Sequence, residues 1–335
     1  METPPTVIVI GASAGGVEAV RSLAAALPAN LQAAVFVVLH IGAHKSELPW
    51  LLNQQGTLRA IHPSDGDPIR PGLIYVAPPD HHMLVEPGRI RLTRGPRENW
   101  ARPAIDPLFR SAARSYGADV IGVVLTGGLN DGTAGLYEIK QAGGTAVVQD
   151  PADAVNPSMP RSALEHVAVD HCLTLALLPG LLARLATKGA GEIHLGQAPP
   201  TPVSKGKEMT ADYKLDEPVA VTCPDCGGAL RRTELGTLTQ FGCHIGHVYT
   251  AEVMVAAQFA AMEGYLEAAM RSLSERGELC RQMAEKSRAA GNAVAGAQWD
   301  AAMREAKERA MSLRRLLEQE WVHPGGVEPL QPSGG

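Results

Sequence analysis

Thr6-Val7-Ile8-Val9-Ile10-Gly11-Ala12-Ser13-Ala14-Gly15 is a short apolar run that ends in a serine held between glycines. Thr6 to Ile10 is too short for a helix and lacks the polar alternation of a half-exposed strand, so it reads as a strand buried on both faces. Gly11-Ala-Ser-Ala-Gly15 follows at once and precedes a helical stretch. This is the G-x-S-x-G pattern in the strand, turn, helix setting that a nucleophile elbow requires. Its glycines allow a sharp turn that lifts the Ser13 hydroxyl above the sheet edge, and backbone N–H groups at the helix start can face a developing oxyanion. A glycine-rich phosphate loop is the competing reading. Against it, the spacing is not G-x-G-x-x-G, and the second strand ends in His40 where a dinucleotide binder carries an acid for the ribose.

Working outward, further runs of the same kind occur at Ala33 to Leu39, Leu73 to Ala77, Val120 to Leu125 and Thr145 to Val148, with helical stretches between them. That alternation, up to about Pro179, predicts an α/β fold: a doubly wound, mainly parallel sheet with helices on both faces. Active sites of such sheets lie at the carboxyl ends of the strands, which would place Ser13 and His40 in one crevice as nucleophile and base. The third member should be a carboxylate at another strand end, holding the imidazole in the correct tautomer. Asp131 meets that condition, reached from Val120 to Leu125 through the loop Thr126-Gly-Gly-Leu-Asn130, which can also bring backbone donors to the reaction centre. Capping of a helix that begins at Gly132 is an equally ordinary role for it, and Asp80, Asp106 and Asp150 compete as acids.

The chain has 335 residues, 45% hydrophobic and 19% charged, which suits a globular protein of two or more folded units. Aromatics are only 4%, so the core must be built from Ala, Val, Leu and Ile. A net charge of −5 supplies no basic footprint for nucleic acid. No run approaches the ~20 apolar residues of a membrane span, and Met1-Glu-Thr-Pro-Pro5 lacks the basic start of a signal peptide, so a cytoplasmic protein without direct membrane insertion is expected.

Residues 1–188 form the expected catalytic domain, and 189–217, with glycines, prolines and charges but no hydrophobic period, a linker. In 218–249, Cys223, Cys226, Cys243 and His247 make a C-x2-C-x16-C-x3-H arrangement, close to the spacing of a closed, zinc-ribbon-like structural zinc site. His244 is the rival fourth ligand. No cofactor is expected for catalysis itself. Residues 250–322 predict an α-helical hairpin, with Thr250 as cap. Val255, Phe259, Met262, Leu266, Ala269, Leu273, Cys280 and Met283 form one stripe, and Trp299, Met303, Ala306, Ala310, Leu313 and Leu317 the other, with the break at Gly291-Asn292. Such a hairpin packs against itself, in a homodimer, or on a helical partner. Residues 323–335 read as a disordered tail.

The segments Ile10–Gly16, Leu39–His40, Ile74–His82, Arg102–Ser111, Val124–Gly132 and Met159–Arg161, in this order, make residues 5–180 resemble the catalytic domain of the chemotaxis protein-glutamate methylesterases, the CheB type. The family's serine, histidine and aspartate fall on Ser13, His40 and Asp131. The resemblance implies hydrolysis of methyl-esterified glutamates on the cytoplasmic helices of chemoreceptors, and deamidation of receptor glutamines. It also implies a stand-alone form, because the likeness starts at the first strand where many relatives carry a receiver domain. Ala14 replaces a common threonine and Gly128 a methionine, which bears on substrate fit and loop rigidity. The Ala14 N–H and a donor from Thr126 to Leu129 are the expected oxyanion hole. The competing reading is a catalytically idle scaffold of a signalling array.

Overall fold

The computed structural model describes residues 6–40, 46–188, 219–319 and 321. The expected linker and tail lie outside the described residues. The first apolar run forms β1 (Thr6–Ala12), followed by α1 (Gly16–Ala26), β2 (Ala33–Leu39), α2 (Leu48–Gln55), β3 (Arg59–Ile61) and β4 (Leu73–Val76). A hairpin of β5 (His82–Glu86) and β6 (Arg89–Thr93) leads to α3 (Ile105–Tyr116), β7 (Val120–Val124), α4 (Thr133–Gln141), β8 (Thr145–Gln149), α5 (Ser158–His166), β9 (His171–Leu173) and α6 (Leu178–Lys188).

Seven of these strands form one parallel sheet in the order β3-β4-β2-β1-β7-β8-β9. The unbroken apolar runs follow from this position, since every residue of β1 and β2 is buried. Alternate side chains feed two cores, one on each face. Ile8, Ile10, Val35 and Val37 pack with Val20 and Leu23 of α1, Leu52 of α2 and Leu182 of α6. Val7, Val9 and Phe36 pack with Leu108 and Phe109 of α3, Leu136 of α4 and Met83 of the hairpin. Each such side chain contributes roughly 1.5–3 kcal/mol by leaving water, so both helix layers are bound to the same strands.

The chain winds from β1 outward through β2 and β4, then returns to the other side of β1 with β7 and continues to β8 and β9. Strand order therefore reverses at β1, and a crevice opens at the carboxyl ends of β1, β2 and β7. The segments after those three strands contain Ser13, His40 and Asp131.

The described chain falls into two compact units, one ending at Met254 and the other beginning at Val255. Besides the sheet domain, the first unit contains β10 (Val219–Thr222), β11 (Ala229–Leu235), β12 (Leu238–Cys243) and β13 (Val248–Thr250), a four-stranded antiparallel sheet in chain order. Helix α7 (Ala251–Ala289) carries the chain into the second unit, where α8 (Ala293–Leu317) completes the expected hairpin. Gly291, at φ +78°, makes the break, and Asn292 caps α8 by accepting from the Ala295 N–H at 3.0 Å. The α8 stripe holds in outline, with Ala306 buried and Met303, Ala310, Leu313 and Leu317 half-buried, but its first member, Trp299, is exposed. On α7 it holds in part: Cys280 is buried and Phe259, Met262, Leu266 and Leu273 are half-buried, but Val255, Ala269 and Met283 are exposed, and Gly277 and Ala284, outside the stripe, are buried. The helices approach through small residues, Gly277 beside Ala306 and Gly296 beside Ala284, which a stripe chosen by bulk does not include on α7. Thr250 ends β13, and its hydroxyl goes to Asn130 instead of capping the helix.

Candidate active site

Ser13 sits in the turn between β1 and α1, half-buried, with Gly15 at φ +76° ahead of the helix. The turn is tied to the loop after β7: the Ser13 N–H donates to Thr126 O at 3.0 Å, and Thr126 Oγ1 donates to Ala14 O at 2.9 Å. Gly127 passes directly beneath the serine. A Cβ there would lie 2.0 Å from Met159 Sδ and 2.9 Å from Ser13 Cβ, so a side chain would displace the candidate nucleophile.

His40 follows β2, whose Leu39 pairs with Ala12, and its N–H donates to Ala12 O at 3.2 Å. Ser13 and His40 are thus neighbours across two adjacent strand ends. The imidazole Nε2 lies 2.9 Å from Asp131 Oδ2. With Nε2 committed to a carboxylate, Nδ1 is the nitrogen left for proton transfer. Among the described residues no hydrogen bond joins Ser13 Oγ to His40, as is common in resting sites whose contacts tighten around substrate.

Asp131 is 3% exposed and surrounded by donors. Oδ2 also accepts from the Ile105 N–H at 2.6 Å, while Oδ1 accepts from Asn99 Nδ2 at 2.8 Å, Gly132 N–H at 3.0 Å and Asp106 N–H at 3.2 Å. Burial pushes this carboxyl up, but the hydrogen bond and charge of His40, with the Ile105 and Asn99 donors, hold it below its ordinary range. It therefore stays ionised, as an imidazole partner must.

The competing acids have other partners. Asp106 is buried one step behind, and burial followed by the charge of Asp131 pushes it well above the carboxylate range. Its Oδ1 accepts from the Gly132 and Gly135 N–H groups at 3.0 and 2.7 Å, so the capping of α4 falls to Asp106 on α3. Asp150 accepts from Ala152 N–H in a local turn. Asp80 bridges two arginines: Oδ2 pairs with Arg94, and Oδ1 accepts from Arg102 Nη2 at 2.6 Å and Nε at 2.8 Å. Those hydrogen bonds, that of Arg94 first, hold the Asp80 carboxyl down at about 2.

A prediction follows from that depression. The folded-state value lies below the unfolded ~3.9, so the stabilisation is complete above pH ~4 and is lost as pH falls toward 2. Asp80→Asn should cost about 1 kcal/mol at pH 7, with the difference from wild type shrinking between pH 4 and pH 2 in urea melts. A difference that persists unchanged at pH 2 would refute an ionic origin.

Backbone donors near Ser13 can also be sorted. In the loop after β7, the Thr126 N–H is bound by Gln149 Oε1 and the Gly127 N–H by Asn156 O. Among the described residues the N–H groups of Ala14, Gly128 and Leu129 have no such partner. Of the expected donors from Thr126 to Leu129, Gly128 and Leu129 are thus the two whose N–H groups are without such a partner. At Gly128 an added Cβ would meet nothing closer than Asn156 Nδ2 at 3.6 Å, so the position has room for a side chain.

In the Cys/His module, the ligand atoms of Cys223, Cys226, Cys243 and His247 lie within 4.8 Å of one another. Cys226 Sγ is 3.7 Å from Cys243 Sγ, and His247 Nδ1 is 3.6 and 3.5 Å from the sulfurs of Cys223 and Cys243. A tetrahedron with Zn–S of about 2.3 Å and Zn–N of about 2.0–2.1 Å has edges of about 3.8 and 3.5 Å, so the donor set fits that ion. Asp225 Oδ2 stands 4.0 Å from His247 Nε2, on the side where a carboxylate commonly orients a ligating imidazole. His244 is exposed and lies against Gly228, outside this group.

The family model for the CheB methylesterase matches residues 8–182. A Leptospira interrogans protein named as a protein-glutamate methylesterase/protein-glutamine glutaminase is 41% identical over 181 residues, which are 53% of this chain and 93% of that protein. A Chromohalobacter salexigens protein of the same name is 40% identical over 185 residues, 54% of this chain and 52% of its own length. The crystal structure of the Thermotoga maritima CheB methylesterase catalytic domain is 31% identical, with a TM-score of 0.53, over 55% of this chain and all of that one. The family-model match ends at residue 182, within α6. Sequence reasoning did not single out Asn99 or Gln149, which hold Asp131 and Thr126: neither lies in a motif, and the left-handed φ of +48° at Asn99 shows only in the fold.

Proposed function

The chain belongs to the CheB methylesterase family, and we propose that it is a serine hydrolase that removes methyl esters from glutamate side chains of chemoreceptors. The observation that carries this reading is the His40–Asp131 hydrogen bond at the strand ends beside Ser13. In the proposed mechanism Ser13 Oγ attacks the ester carbonyl as His40 Nδ1 takes its proton, and Asp131 stabilises the resulting imidazolium. The oxyanion is received by the Ala14 N–H and by that of Gly128 or Leu129. Collapse breaks the bond to the methoxy group, which leaves as methanol with the proton from His40. Water, deprotonated by the same nitrogen, then cleaves the acyl-enzyme to free the carboxylate and restore Ser13. A glutamine side chain passes through the same steps with ammonia as the leaving group, so deamidation is part of the proposal.

Cys223, Cys226, Cys243 and His247 would hold a structural zinc. With four protein ligands it keeps no open position, so it lends folding free energy and takes no part in hydrolysis. The α7–α8 hairpin, with Tyr265, Leu279, Val294 and Met311 exposed, is assigned to a helical partner or a second copy of the chain. Among the described residues no helix is long and apolar enough to cross a membrane. The methylated receptor segments are cytoplasmic, and the enzyme is placed there with them. The test is methanol release from methylated chemoreceptor membranes by the purified full chain. Release supports the reading; none from several receptors, with the protein folded, favours the idle scaffold.

A further inference from the structure

We propose, building on the esterase reading above, that the Cys/His module is the support of the catalytic carboxylate: β13 positions Asp131 through Asn99 and Asn130, so metal occupancy sets esterase activity. Asn99 is 6% exposed and every polar group it turns inward is used. Its N–H donates to Val248 O at 2.7 Å, and its Oδ1 accepts from the Thr250 N–H at 3.0 Å. Two backbone groups of β13 thus grip it as a neighbouring strand would. With Oδ1 committed to a donor, the amide cannot be reversed, and Nδ2 must face the carboxylates. It donates at 2.8 Å to Asp131 Oδ1 and at 2.8 Å to Asp106 Oδ2. A continuous line of hydrogen bonds then runs from Thr250 through Asn99 and Asp131 to His40.

A second strut ends at the adjoining residue. Thr250 Oγ1 donates to Asn130 Oδ1 at 2.5 Å, and Asn130 Nδ2 donates to Glu252 Oε2 at 2.6 Å. Asn130 is 2% exposed and immediately precedes Asp131. The proposed metal ligand His247 is the residue before Val248, so the ligand and both struts lie within one short segment. From residue 221 to 249 the described buried side chains are few: Leu230, Leu238, Gln240 and Tyr249 besides Cys223 and Cys243. So small a core needs a cross-link to keep its strands in place. Loss of the metal would release β13, and with it the grip on Asn99. Thr250, Asn99 and Asn130 are positioning residues: they touch the carboxylate or its loop, and the ester meets none of them.

The test follows phosphonylation of Ser13 by a fluorophosphonate probe, which reports the nucleophile without any receptor, together with ester hydrolysis and bound zinc. Thr250→Val keeps the shape and deletes the hydroxyl that holds Asn130; Thr250→Ser restores it. In the zinc-loaded full chain, Thr250→Val should slow labelling and kcat by on the order of 10-fold with KM unchanged, and Thr250→Ser should recover most of the rate. Asn99→Ala should slow both by on the order of 10- to 100-fold. It should also move the acid limb of kcat/KM to higher pH, because Asp131 loses a donor that favours its ionised form and the His40–Asp131 pair holds its proton more tightly. Chelation should slow labelling in step with zinc loss, and added zinc should reverse it. Full labelling rates in Thr250→Val and in metal-free protein would overturn the coupling and leave the esterase intact. No labelling of zinc-loaded wild type would overturn the esterase reading itself, and this inference with it.

Discussion

Ser13→Ala is expected to lower the rate of methyl ester hydrolysis by about five to six orders of magnitude, the loss typical of removing a covalent nucleophile. At 1.36 kcal/mol per factor of ten, that is roughly 7–8 kcal/mol of barrier. The deleted atom is the one proposed to form the acyl-enzyme, and oxyanion donors and substrate binding account for whatever rate remains. Folding should be unaffected, since Ser13 is half-buried and its N–H keeps its bond to Thr126 O. Methanol release and fluorophosphonate labelling should vanish together while the thermal midpoint stays within a degree or two of wild type, roughly the effect of a neutral substitution. Methanol release that survives in Ser13→Ala would place the chemistry on another residue and sink the mechanism.

Asp131→Asn should cost about 10,000-fold in kcat. An amide offers one acceptor atom where the carboxylate offers two. If its oxygen faces Asn99, Gly132 and Asp106, its NH2 is aimed at His40 Nε2 and the Ile105 N–H. His40 must then carry its proton on Nδ1, and the nitrogen that should accept from Ser13 has no lone pair to offer. If the amide turns over, NH2 meets three donors instead. Either orientation also leaves buried donors unsatisfied, at about 1–3 kcal/mol each, so a lower denaturation midpoint should accompany the loss of rate. KM should hold, because Asp131 is buried behind the imidazole. A loss under 10-fold would mean that another acid orients His40, and Asp106 would be the next to replace.

The strands of the sheet centre were legible because burial on both faces leaves unbroken apolar runs: Ala33–Leu39 is a strand as read, and the other runs differ at their ends by only one or two residues. Strands β3 and β9 were not, being three residues each at the sheet edges, where Arg59 and His171 interrupt the pattern. The β5–β6 hairpin pairs outside the main sheet and carries charges on one side, so it has no core run to announce it. On α7 the stripe of apolar residues passed over Gly277 and Ala284, which lie at the contact because close helix approach selects for little side-chain volume.

From the sequence alone came the elbow at Ser13, the histidine at the next strand end and a Cys/His group spaced to hold a metal, with His244 left beside His247 as fourth ligand, all consequences of local spacing and turn chemistry. The sequence favoured Asp131 over its competitors, and the fold supplied the reason that it, and not another acid, faces His40. Asp80, Asp106, Asp131 and Asp150 are alike as residue types, and their partners are set by strand order and by donors from segments far apart in the chain. The fold likewise decided that β13, more than a hundred residues beyond Asp131, would reach back to Asn99 and Asn130. Hydrogen bonds between distant segments leave no period in a sequence; they exist only once the sheet has brought the donors within 3 Å of their acceptors.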